Sequence, residues 1–310
     1  MDSVMKSYSS ESRGLLAMLR EAINLYRVQS ADSAGHIRSR IEDAKRVEAS
    51  IRQTYGIELQ DLDILEVGPG QFLTQMTYFS VRNRIVGIDR DVVVRGFRPL
   101  SYLSMLRTNG ARRTVKTIAR KAIGVDRKFA AQLATQLNLK RLPSLTVHPM
   151  DVCEMSFEAG SFDFVYVRSV LHHLKDPQVA MAEVVRVLRP GGVAYFSIHP
   201  YTSQSGCLDP RVFTDRWREV EDWPHLRPQM QGKIDGPNVF LNKLRLKQWK
   251  ELFSSRMESA QFTLIPGHES AAETARKLQS QGELLEYSIE ELTVGELIVI
   301  WKKPGKAVQR

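Results

Sequence analysis

Cysteine is scarce in this chain of 310 residues, which holds only Cys153 and Cys207. Two cysteines cannot build a disulfide framework, and these two lack the spacing and partners of a zinc site, so no metal is expected. No apolar run approaches the ~20 residues that a membrane-spanning helix needs. The first residues, MDSVMKSYSSESRG, contain no apolar stretch of the kind that a secretion signal carries. A reducing, cytoplasmic setting without a transmembrane segment is therefore expected.

The glycine turn in ILEVGPGQFL, residues 64 to 73, lacks what a phosphate site needs. A dinucleotide-binding turn has a third glycine where this chain has Leu73, and a P-loop continues into Gly-Lys-Ser or Gly-Lys-Thr. Neither pattern is present. A dinucleotide and a nucleoside triphosphate are thus disfavoured as ligands of this turn.

The net charge of +9 comes from one stretch of the chain. Residues 90 to 141 contain 13 Lys plus Arg against only Asp91 and Asp126, a local charge of +11 that leaves −2 for the rest. Net charge bears on nucleic-acid binding through where it is concentrated on the surface. Basicity is a property of this segment, and nucleic acid is not the expected partner.

Apolar periodicity predicts an α/β protein with a helical N-terminal extension over residues 1 to 57. Two stretches carry apolar residues at three- and four-residue spacing, RGLLAMLREAINLYRV and HIRSRIEDAKRVEASIRQTYG, the second with Gly56 as its stop. Further on, short apolar runs alternate with helical patterns, among them DPQVAMAEVVRVLRPGG, a helix that Pro190 and Gly191 should end. The runs lie at 62 to 68, 84 to 89, 144 to 149, 162 to 167, 192 to 198, 261 to 267 and 296 to 304. Continuous apolar runs are typical of strands buried on both faces, so the sequence predicts a Rossmann-like, seven-stranded, mostly parallel sheet with helices on both faces.

Polar residues follow the first two predicted strands, where a parallel sheet binds its ligands. In such a sheet, ligands settle outside the carboxyl ends of the strands, near the point where the strand order reverses. Gly68 and Gly70 place unhindered main chain there, and Glu66 adds a carboxylate that repels a phosphate and suits an ammonium or a sulfonium. Asp89 ends the second strand nineteen residues beyond Gly70, where an acidic side chain can accept hydrogen bonds from both hydroxyls of a ribose.

The third predicted strand is followed by HPMDVCEMSF, which offers contacts for an adenine. Asp151 can accept a hydrogen bond from the adenine amine, and Met150 and Val152 can sandwich the ring. These residues account for a sugar, a base and a cation, and they leave no phosphate site. Each alone also fits a turn former or a strand cap, whereas the combination at matching strand ends favours a binding site.

Four stretches of the sequence together point to a known family. They are LEVGPGQFL, VGIDRD, MDVCEMSFEAGSFDFVYVRSVLHHLKDP and EVVRVLRPGG. In this order they resemble the glycine motif, the acidic second strand, the third and fourth strands, and the turn before the fifth strand of the class I S-adenosylmethionine-dependent methyltransferases. The resemblance covers about residues 61 to 199 and is with the broad subgroup that includes ubiquinone-type and small-molecule methyltransferases. It implies S-adenosyl-L-methionine as the cofactor and a methyltransferase domain over residues 58 to 304.

The resemblance also implies roles for residues that follow the strands. Arg90 in VGIDRD joins the cofactor contacts, and Arg168 and Ser169 touch the methionine end of the cofactor through backbone atoms. His172 is the implied base, because some sugar and natural-product O-methyltransferases carry a histidine there, and His199 is a second candidate. Four further side chains are expected to help bind the acceptor: His173, Tyr201, Asp209 and Arg211. The alternatives are that His172 caps a helix, that His173 packs, and that the stretch after His199 is a polar loop satisfied by its own turns.

The first of two large insertions, the basic insertion of residues 90 to 141, suggests a charged partner. One face of its central helix carries Arg112, Lys116 and Arg120, and another carries Val115, Ile118 and Ala122. Such a charged face is either solvated or meets a phosphate-bearing partner, such as a carrier-linked glycan or an anionic membrane surface. RNA is disfavoured, since the aromatic residues near the stripe are few: Phe97, Tyr102 and Phe129.

The second insertion, the acceptor-side insertion of residues 200 to 260, is rich in aromatic residues. Trp217, Trp223 and Trp249 suit a lid over a sugar or polyketide-like ring, or a homodimer contact. The sequence therefore predicts an O-methyltransferase that acts on a small molecule or a glycan. An RNA methyltransferase, and a non-catalytic binding protein that keeps the cofactor pocket, are the alternatives.

Overall fold

The computed structural model describes residues 33–96, 99–213, 217–234 and 240–305. Its seven strands are β1 (Asp63–Val67), β2 (Arg84–Asp89), β3 (Thr146–Pro149), β4 (Phe162–Arg168), β5 (Leu188–Ile198), β6 (Gln261–Pro266) and β7 (Val294–Lys302). Its α-helices are α1 (Ser33–Tyr55), α2 (Thr74–Phe79), α3 (Pro99–Asn109), α4 (Ala111–Ala122), α5 (Val125–Gln136), α6 (Pro177–Val187), α7 (Leu246–Ser254), α8 (Ala271–Ser280) and α9 (Ile289–Thr293). All seven predicted strands are confirmed. The predicted helix RGLLAMLREAINLYRV lies outside the described residues.

The seven strands form one mixed sheet in the order β3-β2-β1-β4-β5-β7-β6. β2 pairs in parallel with both β1 and β3, whereas β6 and β7 are antiparallel. The strand order reverses beside β1, which lies between β2 and β4. This is the Rossmann-like arrangement that the sequence predicts, and it identifies the carboxyl end of β1 as the place where such sheets bind ligands.

Helix α1 forms because its apolar residues recur on one face. Ile37, Ile41, Ala44, Val47 and Ile51 are all buried, and the residues between them are largely polar. The predicted stop is confirmed: Gly56 has a φ of +67°, and its N–H donates to the carbonyl of Arg52 at 2.8 Å. Among the described residues, no helix combines the length and apolar composition that crossing a membrane would require.

Two details of the sheet differ from the sequence prediction. Most residues of β3 are exposed, so burial on both faces is wrong for this strand, which pairs only with β2 because it lies at the edge of the sheet. Helix α6 ends at Val187, before the predicted Pro190 and Gly191. Lys303 Nζ donates to the carbonyls of Val185 and Leu188, at 2.6 and 2.7 Å, and so satisfies the end of the helix.

The described residues divide into two compact units. The N-terminal unit comprises residues 33–166, Glu183–Ala194 and 302–305. In its core, Ile37 and Ile41 of α1 pack with Phe129 and Leu133 of α5. The C-terminal unit comprises Val167–Ala182 and Tyr195–Trp301. One of its cores is built around Trp223, with Ala275 of α8 and Leu292 of α9.

Candidate functional site

The glycine turn of the N-terminal unit joins β1 to α2. Gly68 and Gly70 have φ values of +70° and +69°, a conformation that residues with a Cβ rarely adopt. The N–H of Gly68 donates to the carbonyl of Ile88 at 2.8 Å, which extends the pairing of β1 with β2 beyond the strand end. The turn backbone is therefore held beside the last residues of β2.

Asp89, the last residue of β2, is bonded to that turn. Its carboxylate accepts the N–H of Gly70 and, at 2.9 Å from Oδ1, the N–H of Asp91. Burial raises the pKa of Asp89 to about 6, although nearby Arg113 and the Gly70 N–H act in the opposite direction. Since an ionised carboxylate offers about four acceptor positions, it retains capacity for two ligand hydroxyls.

The turn after β3 lies next to Asp89. The N–H of Met150 donates to the carbonyl of Asp89 at 2.9 Å. The side chain of Asp151 is exposed and its Oδ1 accepts the N–H of Cys153 at 2.8 Å, while Val152 is buried. Arg90 is exposed at the residue after Asp89. The structure thus brings together the predicted residues that follow β1, β2 and β3.

Glu66 differs from the other carboxylates of the N-terminal unit because it is buried within β1. Among the described residues, its Oε2 has no hydrogen-bond partner. Burial raises the pKa of Glu66 to about 8, since the charged form is poorly solvated there. A buried, unpaired carboxyl group suits a cationic ligand, which would stabilise its ionised form.

Two predicted residues, Arg168 and Ser169, lie at the end of β4 in the C-terminal unit. Ser169 has a φ of +54°, and its N–H donates to the carbonyl of Ser197 at 2.9 Å. Arg168 is the last residue of the strand and is partly buried. A short 3₁₀ helix, Leu171–His173, begins two residues later and carries the predicted histidine pair.

The two histidines of this pair are held in different tautomers. His172 is buried, and its Nδ1 accepts the N–H of His199 at 3.4 Å, so its proton is on Nε2. His173 donates from Nδ1 to the carbonyl of Phe240 at 3.1 Å, which leaves the lone pair on Nε2. Burial lowers the pKa of His172 well below its usual range and also lowers the pKa of His173, so both are neutral near pH 7.

His199 follows β5 and contacts a serine loop. Its Nε2 lies 2.8 Å from Ser205 Oγ and 3.4 Å from Ser203 Oγ. Burial lowers the pKa of His199, while nearby Glu296 raises it. The ring centroids of His172 and His199 are 6.5 Å apart, so the structure brings His199 and the histidine pair into one cluster.

Comparison with known proteins finds a family match within this chain. Residues 108–196, which contain β3, β4 and most of β5, match the model of a methyltransferase domain. This part of the chain is therefore similar to methyltransferase domains. The match supports S-adenosylmethionine as the cofactor.

Three relatives of the methyltransferase domain illustrate the similarity. A 37.1 kDa protein in a transposon of Streptomyces fradiae is 36% identical over 72 residues, 23% of this chain and 21% of that protein. A chloroplastic methyltransferase of Arabidopsis thaliana is 29% identical over 110 residues, 36% of this chain and 27% of that protein. The chain thus matches about a quarter of the length of these curated relatives. A solved phosphoethanolamine N-methyltransferase of Haemonchus contortus, in complex with S-adenosyl-L-methionine, is 16% identical, with a TM-score of 0.43 over 84% of this chain and 52% of that chain.

Two tryptophans and a buried carboxylate of the acceptor-side insertion lie in the interior of the C-terminal unit. Trp223 and Trp249 are fully buried, so the prediction that they form a lid is wrong; burying their large apolar surfaces stabilises the core instead. Asp209 is also fully buried and forms hydrogen bonds of 3.0 and 2.6 Å with Arg211. This carboxylate holds Arg211 and is inaccessible to an acceptor. Tyr201 packs edge-on against a buried histidine, His225, at 4.9 Å between ring centroids.

The basic insertion braces the glycine turn through contacts that the sequence did not predict. Phe72 of the turn stacks on Phe129 of α5 at 4.1 Å, and the Arg120 guanidinium lies 4.9 Å from the Phe72 ring centroid. Arg113 of α4 forms an ion pair with Asp91, two residues after Asp89. Phe72 was the one sign of this packing in the sequence, and its partners Phe129 and Arg120 lie tens of residues away along the chain.

Gly87 of β2 lies against the glycine turn, and the sequence analysis did not single it out. A Cβ on this residue would lie 3.2 Å from Pro69, between the two turn glycines, and 3.1 Å from the sulfur of Met76. We therefore expect Gly87→Val to displace the turn, to weaken S-adenosylmethionine binding, and to lower the free energy of unfolding by about 1–3 kcal/mol. Calorimetry and urea unfolding measure the two effects. Gly96→Val is the matched control, because a Cβ there meets no atom within 4 Å; equal effects of both substitutions would contradict the role of Gly87.

Proposed function

We propose that this chain is an S-adenosylmethionine-dependent methyltransferase that methylates a hydroxyl oxygen of a small molecule or a glycan. The observation that carries the proposal is the buried, unpaired carboxyl group of Glu66 on β1, the strand that leads into the glycine turn, together with the bond between that turn and Asp89 at the end of the neighbouring β2. A nucleoside that carries a positive charge fits this set of groups. A phosphate does not, because the Asp89 carboxylate repels it.

The N-terminal unit supplies the proposed cofactor contacts. Asp89 accepts hydrogen bonds from the ribose, Glu66 pairs with the positive charge, and Asp151 with Met150 and Val152 holds the base. Arg90 remains a further proposed contact of this unit, and Arg168 and Ser169 of the C-terminal unit remain contacts that the sequence resemblance implies. When bound, the cofactor supplies a methyl group on a positively charged sulfur, which becomes a neutral thioether once an acceptor has taken the methyl. The protein contributes mainly alignment, which supplies up to ~7–11 kcal/mol of a barrier.

The neutral state of the histidine pair favours a hydroxyl acceptor, because a neutral imidazole can accept a proton. An alcohol must lose a proton during transfer, and a positioned base contributes about 10²- to 10⁴-fold to the rate. His172 and His173 are neutral near pH 7, because burial lowers the pKa of both. We propose that this pair takes the proton. Its tautomers favour His173 Nε2 as the accepting atom, with His172 positioned by His199.

Transfer of a labelled methyl group tests this proposal directly. The full chain is incubated with cell extract and S-adenosylmethionine that carries an isotopically labelled methyl group, and the products are identified by mass spectrometry. We expect the label in an O-methyl ether of a small molecule or a glycan. Label in RNA would replace the proposed acceptor by a nucleic acid. Cofactor binding without labelled product across a broad acceptor panel would indicate a non-catalytic binding protein.

Substitution of the histidines tests the base. We expect His173→Ala to lower kcat about 10²- to 10⁴-fold at saturating cofactor, since a general base contributes that much. His172→Ala is expected to lower kcat as well, with cofactor affinity preserved. In the parent enzyme, kcat should stay level down to pH values below 6.5, because the lowered pKa keeps the base neutral there. Variants as active as the parent would remove the pair from the mechanism.

A further inference from the structure

Helix α4 of the basic insertion has its polar residues inside and its apolar residues outside. Thr114, Thr117 and Lys121 are buried on one face. On the exposed side of the helix, Val115 and Ile118 are 43% and 45% exposed. Of the two alternatives that the sequence leaves for the charged face, solvation is wrong for Arg120, which is buried as well. In a protein surrounded only by water, an amphipathic helix is expected to bury its apolar face.

Ion pairs hold α4 in this orientation. Arg120 and Lys121 both pair with Asp126, with N–O distances of 2.6 and 3.4 Å. Lys121 Nζ also donates to the carbonyl of Arg95 at 2.9 Å, and Arg113 pairs with Asp91. A rotation of the helix that buried Val115 and Ile118 would break these contacts and separate the charged side chains from their partners. The outward apolar face is therefore a built feature of the fold.

The neighbouring segments also expose apolar side chains. In α3, Leu100 is 80% exposed and both Leu103 and Leu106 are 44% exposed, and Ile123 after α4 is 57% exposed. With Val115 and Ile118 these make six large apolar residues exposed within residues 100–123, of eleven in the described part of the chain. Helix α3 packs against α4, so these residues lie on two adjoining helices. Apolar residues exposed together in this way point to an interaction surface, whereas apolar residues exposed singly do not.

The charge around these residues indicates the kind of partner. Both acidic residues of the basic insertion, Asp91 and Asp126, are already engaged in ion pairs. Arg107, Arg127 and Lys128 are exposed close by in the sequence. A second copy of this chain would bring the same positive segment against itself, which is unfavourable. An anionic lipid bilayer complements both properties, since its interface accepts aliphatic side chains and attracts Lys and Arg.

We propose that α3 and α4 form a membrane-docking surface for anionic lipid bilayers. We define this docking surface by Leu100, Leu103, Leu106, Val115, Ile118 and Ile123, with the basic residues that flank them. Docking inserts aliphatic side chains at the level of the lipid headgroups and leaves the two helices on the surface of the bilayer. This inference does not depend on the proposed methyl transfer.

Vesicle sedimentation of the full chain tests the docking surface. We expect the parent protein to sediment with phosphatidylcholine vesicles that contain phosphatidylglycerol and to stay in solution with phosphatidylcholine alone. Added salt should weaken binding, because it screens the attraction to the anionic surface. The double variant Val115→Asp, Ile118→Asp should bind about tenfold more weakly or worse, through lost apolar insertion and two added negative charges.

Val179→Asp with Leu285→Asp is the matched control, because these two residues are also exposed and lie in the C-terminal unit. It should bind vesicles as the parent does. Circular dichroism verifies that both double variants are folded. Three results would overturn the proposal: a parent protein that binds neither kind of vesicle, equal binding by the two double variants, or light scattering that shows a dimer lost only in the Val115→Asp, Ile118→Asp variant.

Discussion

Replacing Asp89 with alanine should raise the dissociation constant for S-adenosylmethionine about a hundredfold or more. The proposed role gives this carboxylate two ribose hydroxyls, and each hydrogen bond to a charged group contributes ~1.5–3 kcal/mol. The substitution also removes the acceptor of the Gly70 and Asp91 N–H groups, which loosens the glycine turn. Titration calorimetry at pH 8, where the carboxyl group is ionised in the parent, measures the loss.

Asp89→Asn separates the loss of the ribose hydrogen bonds from the loosening of the glycine turn. The amide oxygen still accepts a hydrogen bond from the turn, but the side chain no longer carries the charge that strengthens bonds to the hydroxyls. We expect an intermediate affinity and an unchanged unfolding midpoint. An Asp89→Ala protein that stays folded and binds the cofactor as tightly as the parent would refute the ribose role of this residue.

The affinity for S-adenosylmethionine should rise with pH through the titration of Glu66. In the free protein, burial holds the pKa of this carboxyl group at about 8, so the group is largely protonated at pH 6.5. A bound cation stabilises the ionised form and lowers that pKa. Binding therefore releases a proton, and the affinity should increase by about tenfold per pH unit up to pH 8 and flatten above it.

Glu66→Gln should remove this pH dependence. The variant should also unfold at a higher temperature than the parent at pH 8, with a smaller difference near pH 5. The sign follows from the raised pKa: above the usual carboxyl pKa the unfolded chain ionises while the folded chain resists, so parent stability falls as the pH rises towards 8. The affinities are compared above pH 6.5, where Asp89, with its pKa of about 6, is already largely ionised and contributes little to the pH dependence. An unchanged pH dependence in the glutamine variant would show that Glu66 does not contact the cation.

S-adenosylhomocysteine identifies the charge that Glu66 meets. This product keeps the ammonium group and lacks the sulfonium. If Glu66 pairs with the ammonium, both ligands should show the same pH dependence, with a decline above about pH 8 as an amino group loses its proton. If it pairs with the sulfonium, only the methyl donor should show the dependence. The comparison therefore distinguishes two orientations of the cofactor.

The sequence predicted the sheet well, and it also predicted that the strand ends carrying the proposed cofactor residues adjoin. Strand runs such as LDILEVG, with their apolar residues and bounding turns, give local signals that do not depend on distant contacts. The neighbouring positions of Gly68, Asp89 and Met150 followed from parallel topology alone, because parallel strands end at the same edge of a sheet. Hydrogen bonds from Gly68 to Ile88 and from Met150 to Asp89 confirm that these strand ends adjoin.

Predictions for the two insertions were less successful. Aromatic and charged residues there suggested an accessible lid and a charged surface, but Trp223 and Trp249 are core residues and Asp209 pairs with Arg211 inside the C-terminal unit. The composition of a segment reveals which chemistry is available to it. It does not reveal whether the side chains find partners within the protein.

Helix α4 shows what the sequence determines and what only the tertiary structure decides. Its sequence alone determined that one face is apolar and another charged, since helical spacing separates Val115, Ile118 and Ala122 from Arg112, Lys116 and Arg120. Which face points outward was decided only by the tertiary structure. Asp91, Asp126 and the carbonyl of Arg95 hold the charged side inward, and those partners come from elements before and after the helix, so the spacing within it could not indicate them.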